Sequence, residues 1–242
     1  MNLAIDIGNT RVKAALFDKN ELIELKYYSG VDAIISDVDF FKMCDAIVIG
    51  SVVDGLDEYY KQLAQLKETI LFTSETRIPL KNLYKTTATL GSDRIAASIG
   101  AYYLYSNTNV LVIDMGTCIK YNFTNSQNHY LGGSISPGLQ MRFKALHQFT
   151  SKLPLLQPDT LKVELIGDNT QNSLLSGVIN GIIAEMDGII NQYKEQYPDL
   201  VCVITGGDCE HFAKQLKNSI FVHPNLVLRG LNNILNFNIN SK

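Results

Sequence analysis

Three aspartates in this chain stand where an acid could do chemistry: Asp6, Asp93 and Asp114. Asp6 lies inside the apolar run Leu3-Ala4-Ile5-Asp6-Ile7, and Gly8-Asn9-Thr10 follows at once. An acid within a buried strand is costly unless it meets a cation or hydrogen-bond donors. Gly8 lets the backbone approach a ligand closely. Asn9 and Thr10 add side-chain donors, and Lys13 adds a positive charge. An acid to hold a metal beside such a turn suits the phosphate end of a nucleotide. The plainer reading is a hairpin whose Asp6 caps its own turn.

The same layout returns half a chain later. Val110-Leu111-Val112-Ile113-Asp114-Met115-Gly116-Thr117 repeats apolar strand, Asp, any residue, Gly and a small polar residue. Each copy opens a three-strand run. One Asp-x-Gly is weak evidence, whereas two at this spacing point to a duplicated α/β unit with a ligand cradled in the cleft between the copies. Asp93 belongs to Gly91-Ser92-Asp93-Arg94, where a helix begins. Ser92 or Asp93 could serve simply as the helix cap. The segment equally makes an anion site at the positive helix end, and that reading alone gives Arg94 a purpose.

The elements that must position these residues follow from pattern. The strands expected around the first acid are those on either side of Gly8, then Glu21–Tyr28, Asp45–Ser51 and Thr69–Phe72. Val31–Met43 suits a short helix and Leu56–Leu66 a longer one. A loop is expected over 73–90 and a helix from about Ile95 to Tyr105. In the second copy, Tyr121–Phe123 and Tyr130–Ile135 are strands. Gly132-Gly133-Ser134-Ile135-Ser136-Pro137-Gly138 then reads as a strand end and a helix start, with Pro137 suited to the first turn. Gln171–Tyr193 is the longest expected helix, with a broad apolar stripe. Strand Asp199–Thr205 runs into Gly206-Gly207-Asp208, either a plain turn or a flat seat for an adenine. Leu226–Phe237 closes the chain.

At 242 residues, 46% hydrophobic and 19% charged, the chain is long enough to bury a core without staples. A net charge of -3 without a basic stripe argues against nucleic acid. Scattered cysteines (Cys44, Cys118, Cys202, Cys209) suggest reduced thiols in a cytoplasmic protein without structural zinc. No signal-peptide pattern and no apolar run of membrane-spanning length is evident, so no membrane partner is expected.

These motifs in order resemble a known group. The two Asp-x-Gly hairpins are similar to those of the acetate kinase, sugar kinase, Hsp70 and actin superfamily, whose halves are ribonuclease H-like. Within it the chain resembles the type III pantothenate kinases. The likeness runs through Asp6-Ile7-Gly8-Asn9-Thr10 with Lys13, Tyr84, Leu90-Gly91-Ser92-Asp93-Arg94, Asp114-Met115-Gly116-Thr117, Gly132-Gly133, Pro137-Gly138-Leu139, Leu153-Pro154, Asn169-Thr170, Thr205-Gly206-Gly207-Asp208 and Leu226-Val227-Leu228 with Gly230-Leu231. The Leu-Gly-x-Asp-Arg block is the family-specific part.

The resemblance implies actin-like halves at 1–107 and 108–242, and ATP-dependent phosphorylation of pantothenate, the first step towards coenzyme A. It implies a homodimer, Mg²⁺, and a monovalent cation such as K⁺ or NH₄⁺. ATP contacts would fall to Asp6, Ile7, Gly8, Asn9, Thr10, Arg11, Val12, Lys13 and Thr117. Pantothenate contacts would fall to Tyr84, Gly91, Ser92, Asp93, Arg94 and Thr170. Asp93 would be the general base, Asp6 would act on phosphates through Mg²⁺, and Asp114 would hold the monovalent cation. Ser92 departs from the Val or Thr common at its position, and Cys118 and Lys120 from Ala and Thr. Lys120 adds a charge beside the Asp114 cation site. Two other functions are a regulatory relative that keeps the fold without turnover, and a kinase of another small hydroxy compound.

Overall fold

Leu3 and Ile5 point to one face of the first strand and Ala4 to the other, and all three are fully buried. That alternation is the two-residue period of a strand covered on both sides. In the computed structural model, which describes residues 1–8, 11–52, 55, 57–158 and 162–239, it is the centre of a five-stranded sheet. The strands are β1 (Asn2–Ile7), β2 (Val12–Asp18), β3 (Glu21–Tyr28), β4 (Ala46–Ser51) and β5 (Glu68–Leu71), in the order β3-β2-β1-β4-β5. β1, β2 and β3 are antiparallel neighbours, while β4 runs parallel to β1 and β5 to β4.

The second sheet contains β6 (Lys81–Asn82), β7 (Val110–Met115), β8 (Cys118–Thr124), β9 (His129–Pro137), β10 (Val201–Gly206) and β11 (Phe221–Val222). Its order is β11-β10-β7-β8-β9-β6. Without β6, this is the order of the first sheet: third, second, first, fourth, fifth in chain order. The duplication seen in the motifs is therefore a duplication of topology.

By contacts the described residues form two units, Met1–Thr108 with Asn122–Gly132 and the stretch from Asn225, and Asn109–Tyr121 with Gly133–Pro224. In the first unit, one face of the five-stranded sheet packs Leu3, Ile5 and Leu16 against Ile34, Phe40 and Leu63. The other packs Ala4, Phe17 and Val48 against helices Ser92–Leu104 and Leu226–Ile239. These two helices touch at backbone distance. A Cβ on Gly230 would lie 1.7 Å from the Ala96 carbonyl oxygen, and one on Gly100 2.6 Å from that of Leu226. In the second unit, β7 and β10 are almost wholly buried. Helix Thr170–Gln196 turns Leu174, Val178, Ile179, Ile182, Met186 and Ile190 inward.

Several expectations change. The segment after β3 forms two short helices, Val31–Ser36 and Val38–Lys42, because Asp37 caps the second by accepting from the Phe40 N–H. Leu56, expected to start the next helix, lies outside the described residues, and that helix is Asp57–Leu66. The 73–90 loop contains β6, which pairs in parallel with β9. Gly132 and Gly133 sit inside β9 at φ of +111° and +146°, not in a turn after it. Pro137 is the last strand residue, and Gly138 caps helix Leu139–Gln148. Helix Thr170–Gln196 is long and apolar enough to cross a membrane by length and composition, although the sequence pattern predicts no run of that length.

Candidate active site

Unit one assembles most of the expected site around the ends of β1 and β4. Asp6 and Lys13 are directly opposed across β1 and β2, so their side chains share one face. The Gly8 N–H donates to the Arg11 carbonyl oxygen at 3.1 Å, closing the turn between them. Ile7 and Val12 are buried and Arg11 is exposed. Asn9 and Thr10 lie outside the described residues.

The Gly91–Arg94 segment begins helix Ser92–Leu104 three residues earlier than its pattern suggests, with Gly91 as the cap. Asp93 is thus a first-turn residue, not the cap, and no side chain caps this helix. Instead the Ser92 hydroxyl donates to the Ser51 carbonyl oxygen at 2.7 Å. Ser51 is paired with Ile7 on β1. One hydrogen bond therefore ties the positive end of this helix to the end of β4, beside the strand that carries Asp6. This gives Ser92, a departure from the usual residue, a positioning role.

Asp93 folds back over the cap. A Cβ on Gly91 would stand 2.7 Å from the Asp93 Oδ1. Glycine at 91 keeps that space open for the carboxylate. Arg94 is only 4% exposed. Its Nε donates to Asn122 Oδ1 at 2.7 Å, and its guanidinium carbon lies 5.6 Å from the centre of the Tyr84 ring. The Tyr130 hydroxyl donates to the same Asn122 oxygen at 3.1 Å, and the Tyr84 and Tyr130 rings lie 6.3 Å apart. Gly132 leaves room for Tyr84, whose ring would be 3.0 Å from any Cβ there. Tyr84 and Arg94, separate in the sequence reading, are thus neighbours in one polar cluster.

Asn122 and Tyr130 were not anticipated as site residues. The available signal was a fully buried Asn between Tyr121 and Phe123, since a polar side chain in a buried strand needs partners. Among the described residues, the Asn122 Nδ2 has no hydrogen-bond partner.

In unit two, Asp114 is the penultimate residue of β7, opposite Thr205 of β10. Lys120 Nζ lies 2.8 Å from Asp114 Oδ2. Thr117 is exposed in the following turn, and its carbonyl accepts from the Gly138 N–H at 3.1 Å. A Cβ on Gly138 would stand 2.5 Å from the Gly116 and Thr117 carbonyl oxygens, so only glycine starts a helix there. Gly206, at φ +100°, would place a Cβ 2.2 Å from the Met115 carbonyl oxygen. That glycine is explained by strand packing. Thr170 is the exposed first residue of its helix, next to the Asn169 cap, whose side chain accepts from the Asn172 N–H. Behind β8 the Tyr121 hydroxyl donates to Glu185, which also pairs with Arg142. Burial, with that carboxylate nearby, pushes the Tyr121 phenol well up. Burial likewise raises the Asp208 carboxyl, with His211 opposing it.

Among the described residues, no three His, Cys, Asp or Glu side chains converge as a metal cage. A magnesium held by one or two carboxylates and substrate phosphates needs no such cage.

Two sheets of one strand order, each with an acid and a glycine turn after its central strand, define a duplicated ribonuclease H-like fold of the sugar kinase and actin-like ATPase type. The chain belongs to the type III pantothenate kinase family, whose sequence pattern matches residues 2–192. A type III pantothenate kinase of Christiangramia forsetii is 44% identical over 98% of this chain and 99% of its own. Among solved structures, a Baf family protein of Campylobacter jejuni superposes with a TM-score of 0.60 at 24% identity, over 99% of this chain and 100% of that one. The inorganic polyphosphate/ATP-glucomannokinase of an Arthrobacter species gives 0.51 at 14%, over 98% of both. These two support the fold alone.

Proposed function

We propose that this chain transfers the γ-phosphoryl group of ATP to the primary hydroxyl of pantothenate, the first step of coenzyme A biosynthesis. The observation that carries this reading is the Gly91–Arg94 segment in a member of this family. A carboxylate folded over a glycine cap stands beside a buried, hydrogen-bonded arginine. Phosphoryl transfer needs positioning and charge neutralisation more than covalent help. The hydroxyl oxygen bonds to phosphorus, the bond to the leaving ADP breaks, and Asp93 accepts the hydroxyl proton. Arg94, with Tyr84, Gly91, Ser92 and Thr170, recognises pantothenate. A guanidinium suits the acid end of that molecule, and its anchoring by Asn122 pre-organises it.

The ATP phosphates fall to Asp6 through Lys13 and to Thr117. Mg²⁺, when bound, neutralises phosphate charge, with Asp6 as its protein carboxylate. The family resemblance assigns a monovalent cation, K⁺ or NH₄⁺, to Asp114, the carboxylate that Lys120 meets. The two copies of the motif, at 1–107 and 108–242, supply the Asp6 and Asp114 parts respectively.

Pantothenate-dependent release of ADP by the purified chain tests the reading. A regulatory relative gives no turnover, and a kinase of another compound turns over with a different acceptor from a panel of hydroxy acids and sugars. We also propose a cytoplasmic homodimer, with no nucleic-acid or membrane partner. Leu175, Ile183 and Ile189 remain half-buried along helix Thr170–Gln196, which supports that helix near the interface. Sedimentation equilibrium is expected to report a dimer, and a fully active monomer would refute the assignment.

A further inference from the structure

The ion pair of Asp114 and Lys120 is largely buried, its side chains 10% and 16% exposed. Hairpin geometry delivers this lysine to this acid. In the first hairpin the Gly8 N–H donates to the Arg11 carbonyl, and Lys13 follows two residues later on β2. In the second the Gly116 N–H donates to the Cys118 carbonyl, and Lys120 follows two residues later on β8. The second turn is one residue shorter, so Lys120 is the structural counterpart of Lys13. Each hairpin sets a lysine on the strand after its acid.

A monovalent cation at Asp114 has to fit around that ammonium, and the residues present do not leave it the place. Asp114 Oδ2 already holds a positive charge at contact distance. A second cation on the same carboxylate would face Lys120 at short range, where burial leaves the repulsion poorly screened. A lysine ammonium is a compact single charge with three donors. It matches NH₄⁺ in charge and in hydrogen bonding, and it is tethered to the site.

We propose that Lys120 is a built-in monovalent cation at Asp114, so that phosphoryl transfer by this chain needs neither K⁺ nor NH₄⁺. The inference rests on the kinase reading of the preceding subsection for its activity readout, and on the ion pair alone for its binding readout. Removing one partner of a buried pair leaves an uncompensated charge. Lys120→Ala should therefore open the site to an ion from solution.

The test measures pantothenate-dependent ADP release and melting temperature in choline chloride, KCl and NH₄Cl at equal ionic strength. The native chain is expected to turn over at the same rate, and to melt at the same temperature, in all three. Lys120→Ala is expected to lose roughly tenfold or more of its activity in choline chloride. KCl or NH₄Cl should restore that activity and raise its melting temperature. Stimulation of the native chain by K⁺ or NH₄⁺ to a similar degree would overturn the proposal, as would a Lys120→Ala protein active in choline chloride and indifferent to both ions. If Lys120→Ala fails to fold, the native chain's salt comparison decides alone. If the native chain releases no ADP in any salt, the kinase reading fails. The melting comparison still judges the cation site, because selective stabilisation of the native chain by K⁺ would refute it.

Discussion

Asp93→Asn is expected to lower kcat by roughly 10²–10⁴-fold, the usual contribution of a positioned general base. The attacking hydroxyl of pantothenate is a poor nucleophile until its proton has somewhere to go. Asp6 and Asp114 are already committed to cationic partners in this scheme: Asp6 stands across from Lys13 and Asp114 is paired with Lys120. Asp93 is held close to Gly91, at the end of β1 where the phosphates are proposed to lie. The competing role for Asp93 is structural, and the fold narrows it. Gly91 is the helix cap, so what an acid in the first turn gives the helix itself is its interaction with the helix dipole, about 0.3–1 kcal/mol. For a chain of this size, that amounts to a melting shift of only about 1–4 °C. A large fall in kcat with nearly native melting supports the base. An Asp93→Asn enzyme turning over at the native rate leaves Asp93 as a helix-start residue only.

Gly230→Ala is expected to be the most damaging single methyl group in the first unit. Gly230 lies on helix Leu226–Ile239, where it crosses helix Ser92–Leu104. The new Cβ would stand 1.7 Å from the Ala96 carbonyl oxygen. That atom is backbone, so no rotamer change relieves the clash and the helices must separate. Overpacking of a core costs about 1–3 kcal/mol and occasionally more. A rigid backbone partner argues for the upper end, a melting loss on the order of 6–12 °C. Because Ser92–Leu104 carries Asp93 and Arg94, the separation should also reduce kcat in the folded fraction. Thermal melting and a steady-state assay on the same preparation read both effects. Native melting and native kcat would show that the crossing is looser than the structure has it.

The same glycine illustrates the limits of the sequence reading. In the sequence Gly230 stands out only within the family-like stretch Leu226–Leu231, since its purpose is a carbonyl on a helix far away in the chain. Arg94 was legible as an anion-binding type, but its burial depends on Asn122 and its neighbour Tyr84 on the glycine at 132. The pattern predicts a turn at Gly132 and Gly133, because paired glycines usually mark one. They are strand residues whose positive φ and missing Cβ admit Tyr84 at the first of them. Apolar periodicity begins only at Ile95, so the pattern predicts a later helix start than the observed Ser92. Gly91 takes the cap position, and a hydrogen bond from Ser92 ties the helix start to a distant strand.

From the amino-acid order alone came the strands, the hairpins and the repeat, together with the residues that carry the family. Those features are local: a two-residue period, a glycine turn and an acid in an apolar run each act through a residue's own backbone and its immediate neighbours. The shared strand order of the two sheets, the Asn122 anchor, the Gly230 crossing and the Asp114–Lys120 contact waited for the tertiary structure. Sequence can name a lysine six residues after an acid. Only the length of the intervening turn, and the burial that strips away competing water, decide that the two meet.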